Sequence, residues 1–294
     1  MDKKRFLEYF IKYIKNCHYY LKNYKKILDI YEDKISKMYI KEYIRNRSIY
    51  PLYYFRLLDY KNNSELLKIK KLVKFKNNCF IINGLKFNFP SSHRYIKTQY
   101  HDIVFPEVFL HHVGLKYFEN DILNKIKNGN IIDCGAFIGD SSIILSKYTN
   151  YKVFAFEPDR SIFKYLIKNI KENNLKNKVI PLNYGVGDKE EILNFGEDEL
   201  KITTIDNIVK KENIGRVSLI KMDIEGYELK ALKGARETIQ KYKPVLIISA
   251  YHRREDILEI PYYLKDLVPE YKFRFLNLRK SHPIFEKVII AYSK

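Results

Sequence analysis

Apolar residues in the first quarter of the chain recur at alternating steps of four and three, the spacing of one helix face. We expect residues 1 to about 75 to be helical, with this stripe packed on the rest of the chain or forming a homodimer or partner contact. Pro51 interrupts the pattern and is predicted to start another helix, "PLYYFRLLDY". The stripe consists of Phe6, Phe10, Tyr13, Cys17, Tyr20, Tyr24, Ile27 and Tyr31.

The segment that follows combines strand and helix signals. Residues 79–89, "CFIINGLKFNF", predict a hairpin with Asn83 and Gly84 at its turn. Pro106 is predicted to open a helix over "FPEVFLHHVGLKYF". We therefore expect three parts: a helical N-terminal region ending in a hairpin (1–90), connecting helices (91–128), and a third domain (129–294).

After Gly129 short apolar runs alternate with helical patterns. This alternation predicts an α/β domain with a parallel sheet wrapped on both faces. The last two strands are joined by a short turn around residues 281–283, so one of them is expected to run antiparallel. The predicted strands are "NIIDC", "KVFAFE", "KVIPLN", "VSLIKMD", "PVLIISAY", "YKFRFL" and "EKVIIAY", and the predicted helices lie near residues 141–148, 161–173, 204–212, 227–241 and 255–267.

The stretch "IIDCGAFIGDSSIIL" joins the first of these strands to a helix through a glycine turn. A nucleoside triphosphate site would place Lys after the second glycine, but Asp140 stands there. A dinucleotide site would place glycine at Phe137, whose bulk would obstruct a pyrophosphate. The acids Asp133 and Asp140 flank the turn and suit a cationic ligand instead.

S-adenosylmethionine has that chemistry, with a sulfonium, an ammonium and a carboxylate but no phosphate. We expect Asp133 to orient the turn and attract the ammonium, and backbone N–H groups of the turn to receive the carboxylate. Glu157 closes the second strand 22 residues after Gly135, where an acid binds both ribose hydroxyls. The predicted cofactor-binding residues of this part are Asp133, Gly135, Ala136, Phe137, Gly139, Asp140, Ser141 and Glu157.

The motifs "IIDCGAFIGDSS", "VFAFEPD", "ITTIDNI" and "LIKMDIEGYELKALKGA" resemble those of FkbM-type S-adenosylmethionine-dependent methyltransferases. The resemblance covers residues 129 to about 292. It implies a Rossmann-like, seven-stranded, mostly parallel sheet of the class I methyltransferase type. It also implies O-methylation of a hydroxyl on a sugar or natural product, often in bacterial surface-polysaccharide pathways. In this class the segment after the third strand borders the adenine, which here points to Asn183, Gly185 and Asp188.

Methyl transfer to an alcohol needs alignment and a group that removes the proton. In open α/β sheets such groups stand at the carboxyl ends of strands. Asp223 ends the fourth strand and is expected near the methyl group and the methionine end of the cofactor, with Glu225 two residues on. His252 ends the fifth strand next to Tyr251 and is a candidate general base, with Tyr251 a candidate substrate contact. Glu228 is expected to be an exposed or packing residue.

Two alternatives stay open at these strand tips. Asp223, Glu225 and His252 could instead hold a divalent metal, for which oxygen ligands with one imidazole suit Mg²⁺ or Mn²⁺. Arg253 and Arg254 follow directly, and Arg274 and Arg279 lie in the late strand and turn. These arginines could pair with the pyrophosphate of a nucleotide-linked sugar. Many members of the FkbM-type family have an acidic residue before this histidine, whereas this chain has Ser-Ala-Tyr there.

Composition adds a formal charge of +19, which suggests a polyanion, an anionic membrane surface or a phosphorylated substrate as partner. An RNA methyltransferase is therefore one alternative function. Enzymes that methylate bases usually carry Asp, Asn or Ser followed by Pro-Pro and then Phe or Tyr after the fourth strand, and this motif is missing here. A non-enzymatic assembly protein that keeps the fold is another. Three widely spaced cysteines and the lack of a long apolar run predict reduced thiols, a cytoplasmic location and no transmembrane segment.

Together these patterns predict an S-adenosylmethionine-dependent O-methyltransferase. Its expected acceptor is a sugar hydroxyl of a nucleotide-linked sugar or glycan in bacterial surface-polysaccharide biosynthesis, and no DNA partner is expected. A divalent metal is the one additional cofactor that the residues allow.

Overall fold

The computed structural model describes residues 3–53, 64–75, 78–90, 105–195, 198–279, 282 and 284–293. Most of the expected second helix, "PLYYFRLLDY", and two residues of the turn at 281–283 lie outside this part of the chain.

The described elements follow the chain in this order. The helices are α1 (Lys3–Ile30), α2 (Lys34–Tyr53), α3 (Ser64–Leu72), α4 (Pro106–Phe109), α5 (Asn120–Lys127), α6 (Asp140–Leu145), α7 (Arg160–Glu172), α8 (Ile205–Lys211), α9 (Glu228–Lys233), α10 (Arg236–Tyr242) and α11 (Asp256–Leu267). The strands are β1 (Val73–Phe75), β2 (Cys79–Ile82), β3 (Leu85–Asn88), β4 (Asn130–Cys134), β5 (Val153–Phe156), β6 (Val179–Leu182), β7 (Gly185–Val186), β8 (Glu191–Phe195), β9 (Asp198–Thr203), β10 (Val217–Met222), β11 (Val245–Ser249), β12 (Lys272–Asn277) and β13 (Lys287–Tyr292).

The central sheet contains seven strands in the order β12-β13-β11-β10-β4-β5-β6. Neighbours from β11 to β6 pair in parallel, and β13 pairs antiparallel with both β11 and β12. The predicted α/β fold with a mostly parallel seven-stranded sheet is confirmed, as is the prediction that one of the last two strands along the chain, here β13, runs antiparallel.

Both faces of this sheet are buried, which explains why its strands are apolar runs without alternation. Ile132 and Ile248 join a core with α8 to α11, whereas Ile131 and Ile247 join a core with α5, α6 and α7. The sheet is therefore a fixed platform, and its strand ends are the places where polar side chains can collect.

The structure corrects two predicted helices. The helix opened by Pro106 ends at Phe109, because a tight turn follows in which Val113 and Gly114 have positive φ. The helix predicted over 227–241 is two helices, α9 and α10, with Gly234 between them. A side-chain methyl at Gly234 would lie 2.0 Å from the carbonyl oxygen of Gly187, so the break lets two backbone segments touch.

Two small sheets flank the central one. The predicted hairpin is confirmed: β2 and β3 pair antiparallel around a turn at Asn83 and Gly84, both with positive φ. Strand β1 joins them inside the region expected to be helical. Strands β7, β9 and β8 form a second three-stranded sheet, which was not predicted.

The N-terminal region is a helical pair. Helix α1 ends at Ile30, and the Asp33 carboxylate caps α2 by accepting the backbone N–H of Ser36 at 2.7 Å. The prediction that Pro51 starts a new helix is wrong, because α2 runs through it. Proline has no N–H to donate one turn back, and the carbonyl of Arg47 instead accepts the Asn16 side-chain amide of α1 at 3.1 Å.

The stripe on α1 is only partly covered. Tyr20, Ile27 and Tyr31 are buried in the core that also contains the sheet, as expected of a stripe packed on the chain. Phe10 and Tyr24 remain 40% and 39% exposed. A homodimer or partner contact stays a prediction. Among the described residues no helix has the length and apolar character needed to cross a bilayer.

Candidate active site

A cleft of about 1090 Å³ opens where β4, β5, β10 and β11 end. Strands β4 and β10 are neighbours from which the chain winds in opposite directions, and open α/β sheets bind their ligands at such a switch point. The predicted site residues that line the cleft are Gly135, Phe137, Asp140, Ser141, Glu157, Asp223, Glu225, Tyr251 and His252.

The glycine turn passes directly against the tip of β10. Gly135 has a φ of +79°, and a side-chain methyl there would lie 1.9 Å from the carbonyl oxygen of Asp223. Gly139 also has positive φ, +90°. Only glycine combines this conformation with this close approach at position 135. The turn and the β10 tip therefore form one wall of the cleft.

Most N–H groups of the turn already have acceptors. Those of Gly135 and Ala136 donate to the carbonyl of Phe156, at 3.1 and 2.9 Å. That of Phe137 donates to the Glu157 carboxylate at 3.0 Å, and that of Gly139 donates to the carbonyl of Ala136. The expected cradle for a ligand carboxylate is thus not preformed by these groups.

Asp133 lies beneath the turn, fully buried at the end of β4. One of its oxygens accepts the hydroxyls of Ser141 and Ser142, both at 2.6 Å, and the other lies 3.1 Å from the Lys221 ammonium. Lys221 also donates to the carbonyl of Gly135 at 2.8 Å. Burial opposes the charge of Lys221, but the neighbouring carboxylates outweigh it and raise its pKa. Asp133 therefore orients the turn, while its own negative charge is paired with the Lys221 ammonium inside the protein.

Glu157 and Asp140 are two of the carboxyl groups that line the cleft beside the glycine turn. Burial raises the pKa of each to about 7, although backbone N–H groups that donate to them oppose the shift. Glu157 accepts from the N–H groups of Phe137 and Asp159, both at 3.0 Å. Each carboxyl group is therefore partly protonated at pH 7, so a cationic or hydroxyl-bearing ligand can shift its protonation.

The predicted adenine residues do not line the cleft. The Asn183 amide donates to the carbonyls of Glu157 and Pro158, at 2.8 and 3.1 Å, and so fixes the loop after β5. Gly185 is buried against Ile202, and Asp188 is exposed. Their contact with a cofactor stays a prediction.

His252 is held by a carboxylate that was not predicted to have a role. Its Nδ1 lies 2.7 Å from Oε1 of Glu228, which is fully buried in the first turn of α9 rather than exposed. Nε2 of His252 lies 3.6 Å from Asp223 and 3.5 Å from Glu225, and it has no hydrogen-bond partner among the described residues. Burial opposes charging the ring, but the hydrogen bond and charge of Glu228 with the other two carboxylates raise its pKa.

The same cluster offers ligands to a cation. One atom each from Asp223, Glu228 and His252 lies within 4.8 Å of the others. This set differs from the predicted one, because Glu228 replaces Glu225, whose side chain is 92% exposed. Two carboxylates and one imidazole fit Mg²⁺ or Mn²⁺ chemically. The unpartnered Nε2 fits either a metal ligand or a base, so both roles remain proposals.

The far end of the cleft is lined by the predicted residues Tyr251 and Arg279 and by two carboxyl groups, Glu107 and Glu286, that were not predicted. The Tyr251 hydroxyl donates to Asp223 at 3.0 Å and lies 3.4 Å from Glu286. Glu107 is 6% exposed, one of its oxygens has no partner among the described residues, and burial raises its pKa to about 7. Arg279 also lines the cleft, and its buried Nε likewise lacks a partner in the described part.

His282, which lies between β12 and β13, lines the cleft wall. Its Nδ1 accepts the backbone N–H groups of Ile284 and Phe285, at 3.2 and 2.8 Å. Burial, with the charges of Lys287 and Arg279, lowers its pKa to about 3. It is therefore a neutral structural residue rather than a base.

One of the missed residues carried a visible signal. Lys221 is the one charged residue of the strand sequence "VSLIKM", and a buried lysine needs a partner. Glu107 and Glu286 gave no such signal, because Glu107 lies in α4 and Glu286 directly before β13, and neither element contains one of the quoted motifs.

Arg253 and Arg254 were predicted to bind substrate, but neither lines the cleft. Arg253 lies 3.9 Å from Glu259 of α11. Arg254 pairs with Glu255 at 2.6 Å and stacks over Tyr19 of α1. The chain turns away from the cleft after His252, which carries both side chains toward the helices.

Comparison with known proteins agrees with this architecture. Residues 133–275 match the model of the methyltransferase FkbM domain. The hexuronic acid methyltransferase AglP of Haloferax volcanii is 30% identical over 143 residues, which cover 43% of this chain and 58% of that protein. The crystal structure of methyltransferase FkbM from Methylobacillus flagellatus KT has a TM-score of 0.62 at 21% identity, covering 93% of this chain and 59% of that chain. This chain thus spans less than two thirds of either relative.

Proposed function

We propose that this chain transfers the methyl group of S-adenosylmethionine to a sugar hydroxyl, since residues 133–275 match the model of the methyltransferase FkbM domain. One observation carries the proposal: the glycine turn and Glu157 share a single cleft with His252, whose Nε2 has no hydrogen-bond partner among the described residues. Methyl transfer to an alcohol needs a cofactor end and a proton acceptor in one cavity.

At the cofactor end, Glu157 is placed to accept the two ribose hydroxyls, and Asp140 to face the ammonium. When bound, S-adenosylmethionine supplies a methyl group that is already activated as a leaving sulfonium substituent. Lys221 and Asp133 act beneath this end by fixing the turn, since they are bonded to each other and to the turn itself.

At the acceptor end, Nε2 of His252 takes the proton of the acceptor hydroxyl as that oxygen attacks the methyl carbon. The carbon–oxygen bond forms as the carbon–sulfur bond breaks, and S-adenosylhomocysteine leaves uncharged at sulfur. Glu228 holds Nδ1 and favours the tautomer with a free Nε2 lone pair. The carboxylates near Nε2 stabilise the imidazolium that results.

A divalent cation is the alternative use of the same atoms. Asp223, Glu228 and His252 would hold it, and it would supply Lewis-acid polarisation of the acceptor hydroxyl. In that case the imidazole is a ligand rather than the base.

We propose that the acceptor is a sugar that carries an acidic group. Arg279 is a cation in the cleft wall, and a guanidinium pairs well with a carboxylate or phosphate. The relative AglP acts on hexuronic acids by its name. A uronic acid, free or as part of a nucleotide-linked sugar or glycan of a bacterial surface polysaccharide, satisfies both observations.

The test is calorimetric titration of the full chain with S-adenosylhomocysteine, alone, with Mn²⁺ and after EDTA. It is followed by methyl-transfer assays with glucuronic acid, UDP-glucuronic acid, glucose and RNA. We expect micromolar binding of the product and methylation of an acidic sugar. Metal-dependent transfer would assign His252 as a ligand. Absence of binding under every condition would contradict the proposed function, and methylation of RNA alone would replace the acceptor class.

A further inference from the structure

Side chains of α2 hydrogen-bond the backbone of the loop that carries Tyr251 and His252. This helix lies outside residues 133–275, which match the family model. Three consecutive carbonyls of this loop accept bonds from two side chains. The Tyr43 hydroxyl donates to the carbonyl of Ala250 at 3.0 Å. The two terminal nitrogens of Arg47 donate to the carbonyls of Tyr251 and His252, at 2.6 and 3.1 Å.

These bonds take the place of the strand-to-strand hydrogen bonds of β11, which end just before this loop. Strand β11 stops at Ser249, and the next residues have left the sheet, so their carbonyls need other donors. Arg47 is suited to that task because its planar fork presents two donors at a fixed spacing, and its charge strengthens both bonds. The sheet still holds one N–H of the loop, since that of Ala250 donates to the carbonyl of Lys287 in β13 at 2.8 Å, whereas the three carbonyls are held by α2.

Helix α2 is itself held in place by hydrogen bonds with α1 and β12. The Arg47 backbone carbonyl accepts the amide of Asn16, which is 3% exposed in α1. Phe275 of β12 donates its N–H to the Ser36 hydroxyl of α2 at 2.8 Å, which ties α2 to the edge of the sheet. The helical pair thus connects the sheet edge to the acceptor end of the cleft.

We propose that Arg47, assisted by Tyr43, is a positioning residue for the methyl-transfer site, which fixes His252 against Glu228 and Asp223. The proposal rests on the function proposed above. A displacement of about 1 Å at a reacting group costs on the order of 100-fold in rate, and Arg47 bonds directly to the backbone of His252.

The experiment compares R47A, R47K and Y43F with R45A in the full chain. Arg45 is exposed on the same helix and is the matched control. We expect R47A to lower kcat by about 10- to 100-fold, with the Kd of S-adenosylhomocysteine within about twofold of wild type. R47K should recover part of kcat because it keeps one donor, Y43F should lose about threefold, and R45A should stay within about twofold. Added guanidinium should partly rescue R47A but not R45A.

A second readout needs no turnover. NMR spectra of the His252 ring, assigned by its loss in H252Q, should show shifted and broadened ring resonances at a fixed pH in R47A but not in R45A, because the contact of Nδ1 with Glu228 loosens. A folded R47A with wild-type kcat and an unchanged His252 ring spectrum would overturn the proposal. So would an equal loss of cofactor affinity, since that would indicate a general defect. If wild type transfers no methyl group, the proposed function fails, and the His252 ring spectrum still decides the role of Arg47.

Discussion

The two ends of the cleft are assembled in different ways. The proposed cofactor end comes from one continuous stretch, in which Asp133, the glycine turn, Asp140 and Glu157 follow each other through β4, α6 and β5. The acceptor end gathers side chains from α4, the tips of β10 and β11, α9, and the connection before β13, with its backbone held by α2. A local motif specifies the first end, whereas only the finished fold specifies the second.

The sharpest way to break the cofactor end is G135A. The added methyl would lie 1.9 Å from the carbonyl of Asp223 at a φ of +79°, so the turn or the β10 tip must move. We expect a loss of about 3 kcal/mol or more in the free energy of unfolding, from strain and overpacking. Binding of S-adenosylhomocysteine should fall by at least about 100-fold, measured by calorimetry alongside chemical denaturation.

G215A is the matched control for G135A. Gly215 is exposed, and a methyl there would meet only the Asn130 amide at 3.9 Å. We expect unfolding free energy within about 1 kcal/mol of wild type and unchanged affinity. A stable G135A that binds the product normally would show that the turn does not approach β10 this closely.

This contrast explains what sequence reasoning could and could not provide. The sheet, the antiparallel end strand and the glycine turn were predicted because apolar runs and local spacing determine them. Glu228 was assigned no role because its partner His252 lies 24 residues away and meets it only across two strand tips. The adjacent Arg253 and Arg254 were assigned to substrate, because spacing alone does not show where the chain turns away from the cleft.

The acceptor end should respond to E228Q in kcat rather than in cofactor affinity. Gln keeps the size and one acceptor oxygen but removes the charge, so the imidazolium formed during transfer is less stable. We expect kcat to fall by about 100-fold with the Kd of S-adenosylhomocysteine within about twofold. Because Glu228 raises the His252 pKa, its loss should also move the acidic limb of the kcat profile to lower pH. The control is E237Q, at an exposed glutamate of α10, which should change neither kcat nor the position of the acidic limb. A loss of affinity equal to the loss of kcat would contradict the separation of the two ends.

Cofactor affinity should depend on pH through Asp140 and Glu157. Burial raises the pKa of both to about 7, so below pH 7 they are increasingly protonated and lose the charge that attracts an ammonium. Affinity for S-adenosylhomocysteine should therefore be highest above pH 7. It should weaken by up to about tenfold per pH unit below that for each carboxylate that must ionise. D140N and E157Q should each bind more weakly at pH 8 and flatten the profile. A flat wild-type profile between pH 6 and 8 would show that neither carboxylate changes protonation on binding.

The smallest expected effect separates two arginines that were both candidates for pairing with a substrate phosphate. Arg254 was predicted from its place after His252, but it pairs with Glu255 and stacks on Tyr19. Arg279 was a candidate from its place in the late turn, and it lines the cleft. We expect R279Q to raise KM about tenfold for an acidic sugar and to leave a neutral sugar within about twofold, because one charged hydrogen-bonded pair is lost.

R254Q is its control and should leave KM for both sugars within about twofold, since a surface ion pair contributes about 1 kcal/mol or less. The ratio of KM values for acidic and neutral acceptors is the measurement, because a general loss of structure would move both. If R254Q changes that ratio and R279Q does not, the acceptor approaches over α11 rather than along the β12–β13 connection. The adjacency that suggested Arg254 would then be the better guide to the acceptor end.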